Sequence, residues 1–232
     1  MNINQYKYHY FSKTRQKPFR EYYRLHANGD DNCVWDKKEK KYKNCNFGWE
    51  PNAWSQEIEN KIISPLDRVW SNILETYIKG GIEDHITQII KHDIKYKKKL
   101  FDYIKYEILR NPKMFRNNIS FNNRFEKNKN IDFSEGYDSL TILNIKEYNK
   151  IFITGDIPIV FYGDKNNHKM FFMTIDPKHC IICPETDKYN DVTSINKLIY
   201  GWAERYVIFP IKNEAYRKEL EQYENEVKNA IE

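Results

Sequence analysis

Residues 82–109 carry the longest helical pattern in the chain, and this pattern constrains the fold more than any other feature. Lysines occupy one side of it, and apolar residues recur at helical spacing along the other side, at Ile82, Ile86, Ile89, Ile90, Leu100, Phe101, Ile104 and Ile108. Pro112 ends the pattern, because the residue before a proline is disfavoured in the helical conformation. We predict a second amphipathic helix from Ser55, a good N-cap, with a kink or break at Pro65, and a short helix over 114–125.

The chain changes character after residue 139. Short apolar runs rich in β-branched and aromatic residues predict strands over 141–145, 151–154, 158–162, 170–175 and 180–184. Helical patterns return over 193–206 and 214–231. Nearer the start, residues 21–47 look extended, and residues 34–36 enter a charged turn that predicts a strand pair.

Together these patterns predict an α+β fold, in which a helical N-terminal half packs on a small, mainly antiparallel C-terminal β-sheet. A chain of this length can bury one sizeable core or two small ones, and we expect a single domain over 1–232. Within it, residues 1–125 are mainly helical with an N-terminal strand pair, residues 139–210 are rich in sheet, and residues 214–231 form a terminal helix. An aromatic content of 16% argues against a disordered chain.

The sequence favours a cytoplasmic protein with no membrane partner. Its first residues lack the apolar stretch of a secretory signal, and no run of about 18 apolar residues predicts a membrane span. Four cysteines without such a signal indicate reduced thiols. The sequence leaves the oligomeric state open.

The first 20 residues form a basic, aromatic arm. They contain five cations and no acid, namely Lys7, Lys13, Arg15, Lys17 and Arg20. Such an arm suits the phosphate backbone of a nucleic acid, with Lys13 and Arg15 as substrate-binding residues and tyrosines available for stacking on bases. The alternative is a terminal strand or helix that packs its aromatic residues and leaves its lysines in solvent.

Six short blocks follow one another along nearly the whole chain. They are His9-Tyr10, residues 34–38, residues 54–59, residues 101–112, residues 154–158, and Asn196 together with residues 203–207. In this order the blocks resemble the bacterial family catalogued as domain of unknown function 4238, although the proline that usually follows the first block is absent and Gly155 replaces a serine. The resemblance implies an intracellular bacterial protein, often from variable genomic neighbourhoods, and it implies no established reaction.

The cysteines do not predict a zinc site. Cys180 and Cys183 have CxxC spacing, but they lie in an apolar, β-branched run, and residues three apart on a strand point to opposite faces. Cys33 and Cys45 are too far apart for a zinc knuckle. We therefore expect buried free thiols and no zinc.

The matched blocks contain three candidate catalytic residues, His9, Glu59 and Asp156. Asp156 lies where one apolar run stops and another begins, and it is also the candidate metal ligand. Arg110 and Arg205 are candidate substrate-binding residues, since a guanidinium suits bidentate contacts with phosphate. In the alternative interpretation Asp156 caps backbone amides at the break, and each arginine pairs with a structural acid such as Glu59 or Asp156.

Convergence of these residues would combine an acid, a base and an anion clamp, which suits phosphodiester cleavage. The first hypothesis is therefore a cytosolic bacterial effector that acts on nucleic acid, as a nuclease (a hydrolase) in antiviral defence or toxin function, with Mg²⁺ or Mn²⁺ as its divalent metal. The alternative is a non-catalytic module that binds nucleic acid or a protein partner, in which the polar residues hold the fold together. The sequence leaves open whether RNA or DNA is the target.

Overall fold

The computed structural model describes residues 7–9, 13–45, 47, 49–51, 56–73, 94–110, 127, 141–145, 151–157, 159–163, 169–183 and 191–231. The chain divides into two compact units. Unit 1 comprises Met1–Thr14 and Gly48–Leu140, and unit 2 comprises Arg15–Phe47 and Thr141–Glu232. The single domain over 1–232 stays a prediction. Over the described ranges, no helix is both long and apolar enough to cross a membrane.

Helices and strands are both present in quantity. The strands are β1 (Lys7–His9), β2 (Val34–Asp36), β3 (Lys41–Lys43), β4 (Trp49–Pro51), β5 (Thr141–Asn144), β6 (Thr154–Gly155), β7 (Val160–Gly163), β8 (Lys169–Asp176), β9 (His179–Cys183) and β10 (Tyr206–Ile208). The helices are α1 (Lys13–His26), α2 (Gln56–Ile58), α3 (Ser64–Ile73), α4 (Ile94–Arg110), α5 (Val192–Trp202) and α6 (Glu214–Ile231), with a π-helical turn, Glu59–Ile63, between α2 and α3. The predicted α+β class is confirmed.

Unit 1 contains a two-stranded antiparallel ribbon, β1 with β4, and the helices α2 to α4. Helix α3 packs on α4, where the buried rings of Trp70 and Tyr103 stack with their centroids 4.7 Å apart. Such a pair adds about 0.5–1.5 kcal/mol beyond the area that it buries. Helix α4 ends at Arg110, in agreement with the stop predicted at Pro112.

The break predicted at Pro65 takes the form of a π-helical turn. The Ser64 N–H donates to the carbonyl of Glu59, five residues earlier, instead of four as in an α-helix. Pro65 has no N–H, and in a regular α-helix its ring would clash with the carbonyl of Lys61. The wider turn relieves this clash without ending the helical path.

Unit 2 is built on two four-stranded antiparallel sheets. The first has the strand order β3-β2-β10-β6, and the second has the order β5-β9-β8-β7. In the first sheet, Trp35 of β2 lies opposite Tyr42 of β3 on one side and Val207 of β10 on the other. The predicted N-terminal strand pair, β2 and β3, therefore forms one sheet with two strands from the C-terminal third, β10 and β6.

Lys37 connects this strand pair to the two C-terminal helices, which pack on each other. Its buried Nζ donates to the carbonyls of Tyr200 (2.9 Å) and Ala203 (2.7 Å). These are acceptors that the end of α5 leaves without helical partners. The same Nζ forms an ion pair with Glu224 of α6 at 2.9 Å. One buried lysine thus holds three elements of unit 2.

Three predicted boundaries are wrong. The strand predicted over 151–154 forms only as β6, Thr154–Gly155. Residues 21–26 are helical and form the end of α1, whereas the sequence predicted an extended chain. The helix predicted over 193–206 ends at Trp202, because the next residue adopts an extended conformation (φ −63°, ψ 122°) and the chain enters β10. Residues 82–93 and 114–125, both predicted to be helical, lie outside the described residues.

Candidate functional site

Asp156 is fully buried, and backbone amides occupy its carboxylate. Oδ1 accepts a hydrogen bond from the N–H of Glu204 (3.0 Å), and Oδ2 accepts from those of Arg205 (3.1 Å) and Tyr206 (3.3 Å). The Asp156 N–H in turn donates to the Tyr206 carbonyl at 2.9 Å. Asp156 therefore ties the bend after β6 to the segment that leads from α5 into β10. This is the geometry of a capping carboxylate, and it leaves little capacity for a metal ion or a substrate proton.

Gly155 allows β6 to come close to the end of α5. A Cβ at this position would lie 2.8 Å from the Cβ of Ala203, which is closer than packed carbon atoms approach. Any larger side chain at this position would push against Ala203. The glycine therefore permits the close packing of β6 against Ala203, next to the hydrogen bonds of Asp156.

Arg205 binds a different carboxylate, that of the fully buried Asp36. Its Nη2 and Nε lie 3.1 Å and 3.3 Å from Asp36 Oδ2. Lys43 Nζ lies 2.7 Å from the same oxygen, and the N–H groups of Lys38 and Glu39 donate to Oδ1 at 3.0 Å and 3.1 Å. Burial alone would raise the pKa of Asp36, but the hydrogen bonds from Arg205 and Lys43 outweigh it and hold the pKa well below its usual range.

Arg15 does not present its charge to solvent. It is fully buried in α1, and its Nη2 donates to the carbonyl of Thr174 at 2.7 Å. A phosphate backbone cannot reach a guanidinium in this position. The exposed side of α1 instead carries an ion pair between Lys17 and Glu21, with 3.6 Å between Nζ and Oε1. Lys13 begins the helix, and its side chain lies outside the described atoms.

Glu59, His9 and Arg110 belong to unit 1. Glu59 begins the π-helical turn, where its Oε1 accepts a hydrogen bond from the Ser64 hydroxyl at 3.0 Å. His9 ends β1 and Arg110 ends α4, and the side chains of both lie outside the described atoms. Among the contacts that the structure describes, one links two of the predicted site residues: the backbone N–H of Arg205 donates to Asp156. The proposed acid–base cluster stays a prediction.

A buried Asp–His pair that the sequence reasoning missed closes the hairpin between β8 and β9. His179 Nδ1 lies 2.9 Å from both carboxylate oxygens of Asp176. Asp176 Oδ1 also accepts from the N–H groups of Lys178 (2.7 Å) and His179 (2.9 Å). The local signal was an aspartate followed by Pro177 at a strand end, which is typical of a turn stabilised by its own side chain. The pair accounts for the tight hairpin.

Cys33, Cys180 and Cys183 are buried, as expected, whereas Cys45 is only partly buried. All four are free, and Cys180 and Cys183 are buried on β9. Burial raises the pKa of the Cys180 thiol, which keeps it protonated and makes it a poor metal ligand. Within the part of the chain that the structure describes, no group of three or more His, Cys, Asp or Glu residues could hold a metal ion. A Mg²⁺ or Mn²⁺ site stays a prediction.

Residues 95–129 concentrate positive charge, and the sequence reasoning missed this. The segment has three acids (Asp102, Glu107 and Glu126) against eleven cations, in a chain whose net charge is +5. The cations are Lys95, Lys97, Lys98, Lys99, Lys105, Arg110, Lys113, Arg116, Arg124, Lys127 and Lys129. Helix α4 carries the first of them, and Lys98 and Lys99 are exposed on it. A charge count in a moving window would have found the segment.

Comparison of the chain with protein-family models, with curated proteins and with solved structures gives no match. The resemblance to domain of unknown function 4238 therefore stays a prediction. The function of the protein has to be inferred from its own residues, their burial and their partners.

Proposed function

We propose that the protein is a cytoplasmic, non-catalytic module that binds nucleic acid, mainly through the basic segment 95–129. The observation that carries the proposal is the charge of this segment, which has eleven cations and three acids. On helix α4, Lys98 and Lys99 are exposed, whereas Lys105 is buried. Clustered lysines and arginines bind phosphates because they release the counterions condensed on the nucleic acid.

The state of Asp156 favours binding over cleavage. A general base or a metal ligand needs an oxygen that can reach the substrate or the ion. Both oxygens of Asp156 instead accept backbone hydrogen bonds in a fully buried position. Arg205 is likewise engaged by Asp36. In this interpretation Asp156 and Arg205, two of the polar residues that first suggested a nuclease, hold unit 2 together.

The binding test uses the full chain with single-stranded RNA, single-stranded DNA and duplex DNA, each titrated at several salt concentrations. Replacing Lys95, Lys97, Lys98 and Lys99 together with glutamine should lower affinity about 10- to 100-fold and reduce the salt slope by about 2 to 4, because each neutralised phosphate contributes close to one.

The matched control replaces four exposed lysines of α1, the β2–β3 turn and the start of β3, namely Lys17, Lys38, Lys40 and Lys41. It changes the net charge by the same amount. Three of these lysines pair with acids in the structure, at Glu21, Glu221 and Glu39. Equal losses in both variants would show that only overall charge matters and would sink the assignment to 95–129. No binding by the wild type would sink the proposal itself.

Cleavage is tested on the same nucleic acids with Mg²⁺, Mn²⁺ or EDTA. We expect no degradation by the wild type. Metal-dependent degradation that an Asp156→Asn variant loses, while the circular dichroism spectrum of that variant stays native, would restore the nuclease hypothesis.

A further inference from the structure

Unit 2 contains a pocket that plays no part in nucleic-acid binding as proposed above. It encloses about 260 Å³ and lies between the chain before β6, the start of α5 and the start of α6. Its apolar walls are Ile151, Ile153, Phe209, Pro210 and Ile211, and its polar lining is Thr193, Asn213, Tyr216 and Glu219. Ile211 is partly exposed, whereas Ile153 and Phe209 are buried. The pocket thus combines a mainly apolar wall, open on one side, with a few polar groups, as ligand sites do.

Asn196 holds the back of this pocket in place. Its fully buried amide donates to the carbonyl of Ile151 (2.7 Å) and to the hydroxyl of Tyr216 (2.9 Å), and its oxygen accepts from the N–H of Ile153 (3.1 Å). Asn213 fixes the same tyrosine from the other end, since its Oδ1 accepts the Tyr216 N–H at 2.9 Å. Both wall and tyrosine are therefore positioned before any ligand arrives.

Tyr216 has a hydrogen-bond donor to offer. Its hydroxyl oxygen accepts from Asn196, and within the described ranges no residue accepts the hydroxyl hydrogen. Burial raises the pKa of Tyr216 to about 12, so the hydroxyl is neutral and carries its hydrogen at physiological pH. At the same lining, the carboxylate of Glu219 forms an ion pair with Lys197, with 3.2 Å between Oε1 and Nζ. The pocket is consequently suited to an uncharged ligand with an acceptor atom.

The volume sets the size of that ligand. A cavity of about 150 Å³ is enough for benzene, and most sites for drug-sized molecules begin at about 300 Å³. A pocket of about 260 Å³ lies between these limits. We propose that it binds a neutral aromatic molecule of one or two rings, whose carbonyl or hydroxyl oxygen accepts the hydrogen bond of Tyr216.

Phenol, acetophenone and toluene are the probes, because phenol and toluene have nearly the same shape and differ in the oxygen. Binding to the full chain is measured by ligand-observed NMR and titration calorimetry. Phenol and acetophenone should bind about 3- to 10-fold more tightly than toluene, the factor expected of one additional hydrogen bond. Tyr216→Phe should remove this preference and leave the affinity for toluene unchanged.

Two further variants keep the test decisive. Ile211→Trp fills the pocket from its partly exposed wall and should abolish binding of all three probes, even if Tyr216→Phe does not fold. Tyr223→Phe removes an exposed hydroxyl from the same helix, outside the lining, and should change nothing. The proposal is overturned if no probe binds at about 10 mM, if Ile211→Trp binds the probes as well as the wild type, or if phenol keeps its advantage over toluene in Tyr216→Phe.

Discussion

Unit 2 and the start of α4 in unit 1 use charged side chains in opposite ways. In unit 2, Asp36 and Asp156 are fully buried, and each accepts several hydrogen bonds from fixed donors. On α4, Lys98 and Lys99 are exposed, and the segment that follows adds cations with few acids to match. The difference teaches that the presence of a charge does not identify a functional site. Its burial decides whether it supports the fold or is accessible to a ligand.

Replacing Asp156 with asparagine should have the largest effect on stability. The carboxylate of Asp156 accepts hydrogen bonds from three backbone N–H groups. The NH₂ group of an asparagine is itself a donor, so it would face these N–H groups without forming a hydrogen bond. We expect a loss of about 3 kcal/mol in the free energy of unfolding, from broken charged hydrogen bonds and donors left unsatisfied. Urea denaturation followed by circular dichroism measures it. Glu204→Gln, on an exposed neighbour, is the control and should stay within about 0.5 kcal/mol of the wild type. A fully stable Asp156→Asn would remove the structural role on which the comparison depends.

Asp36→Asn should cost about 2 kcal/mol at pH 7, since it weakens the pairing with Arg205 and Lys43. The pKa of Asp36 in the folded state lies below its unfolded value of about 3.9. The ionised carboxylate therefore contributes its full stabilisation at pH values above about 3.9. This contribution is lost as the pH falls through the folded-state pKa. The stability difference between wild type and variant should therefore be constant between about pH 5 and 8 and shrink below about pH 4. Urea titrations at each pH test this. A difference that grows on acidification would contradict it.

Gly155→Ala should lower stability by about 1–2 kcal/mol, because the new methyl group overlaps that of Ala203. The double variant Gly155→Ala with Ala203→Gly should recover most of the loss, and Ala203→Gly alone provides the reference for the cycle. Thermal denaturation of the four proteins gives the coupling between the two positions. If the stability changes of the two single variants add up to that of the double variant, the contact between residues 155 and 203 does not limit packing.

Lys98→Gln with Lys99→Gln should have the smallest effect on stability, within about 0.5 kcal/mol, because both side chains are exposed. The same variant should bind nucleic acid more weakly, and its salt slope should fall by about one for each phosphate that the protein no longer neutralises. Denaturation and filter binding on one preparation separate the two quantities. A large loss of stability would show that these lysines support the fold, as the buried charges of unit 2 do, and would contradict the contrast between exposed and buried charges.

Local patterns were sufficient to predict much of the fold. The terminal helix was predicted over 214–231, and it forms as Glu214–Ile231. The strands of the second sheet were found within one or two residues of their positions, since β-branched and aromatic runs bounded by turns depend on neighbouring residues only. The position of the break at Pro65 also followed from the chemistry of a single residue.

Roles that depend on distant residues could not be predicted in this way. The sequence placed Asp156 at the end of a strand, but the donors that occupy its carboxylate lie at residues 204–206. The partner of Arg205 is Asp36, 169 positions earlier, rather than either acid considered from the sequence. The pocket at Tyr216 likewise depends on Asn196, which one sequence cannot show to be its neighbour.

The strand order of the first sheet bears on the time at which this protein can fold. Trp35 pairs with Val207, 172 positions later, so β2 lacks this partner until residue 207 has been synthesised and has left the ribosome. Closing so long a loop is slow, and an unpaired strand edge is a site of aggregation in the meantime. We therefore expect slow refolding for unit 2 and sensitivity to truncation after residue 205, because the missing strand β10 is the one that joins β2 to β6.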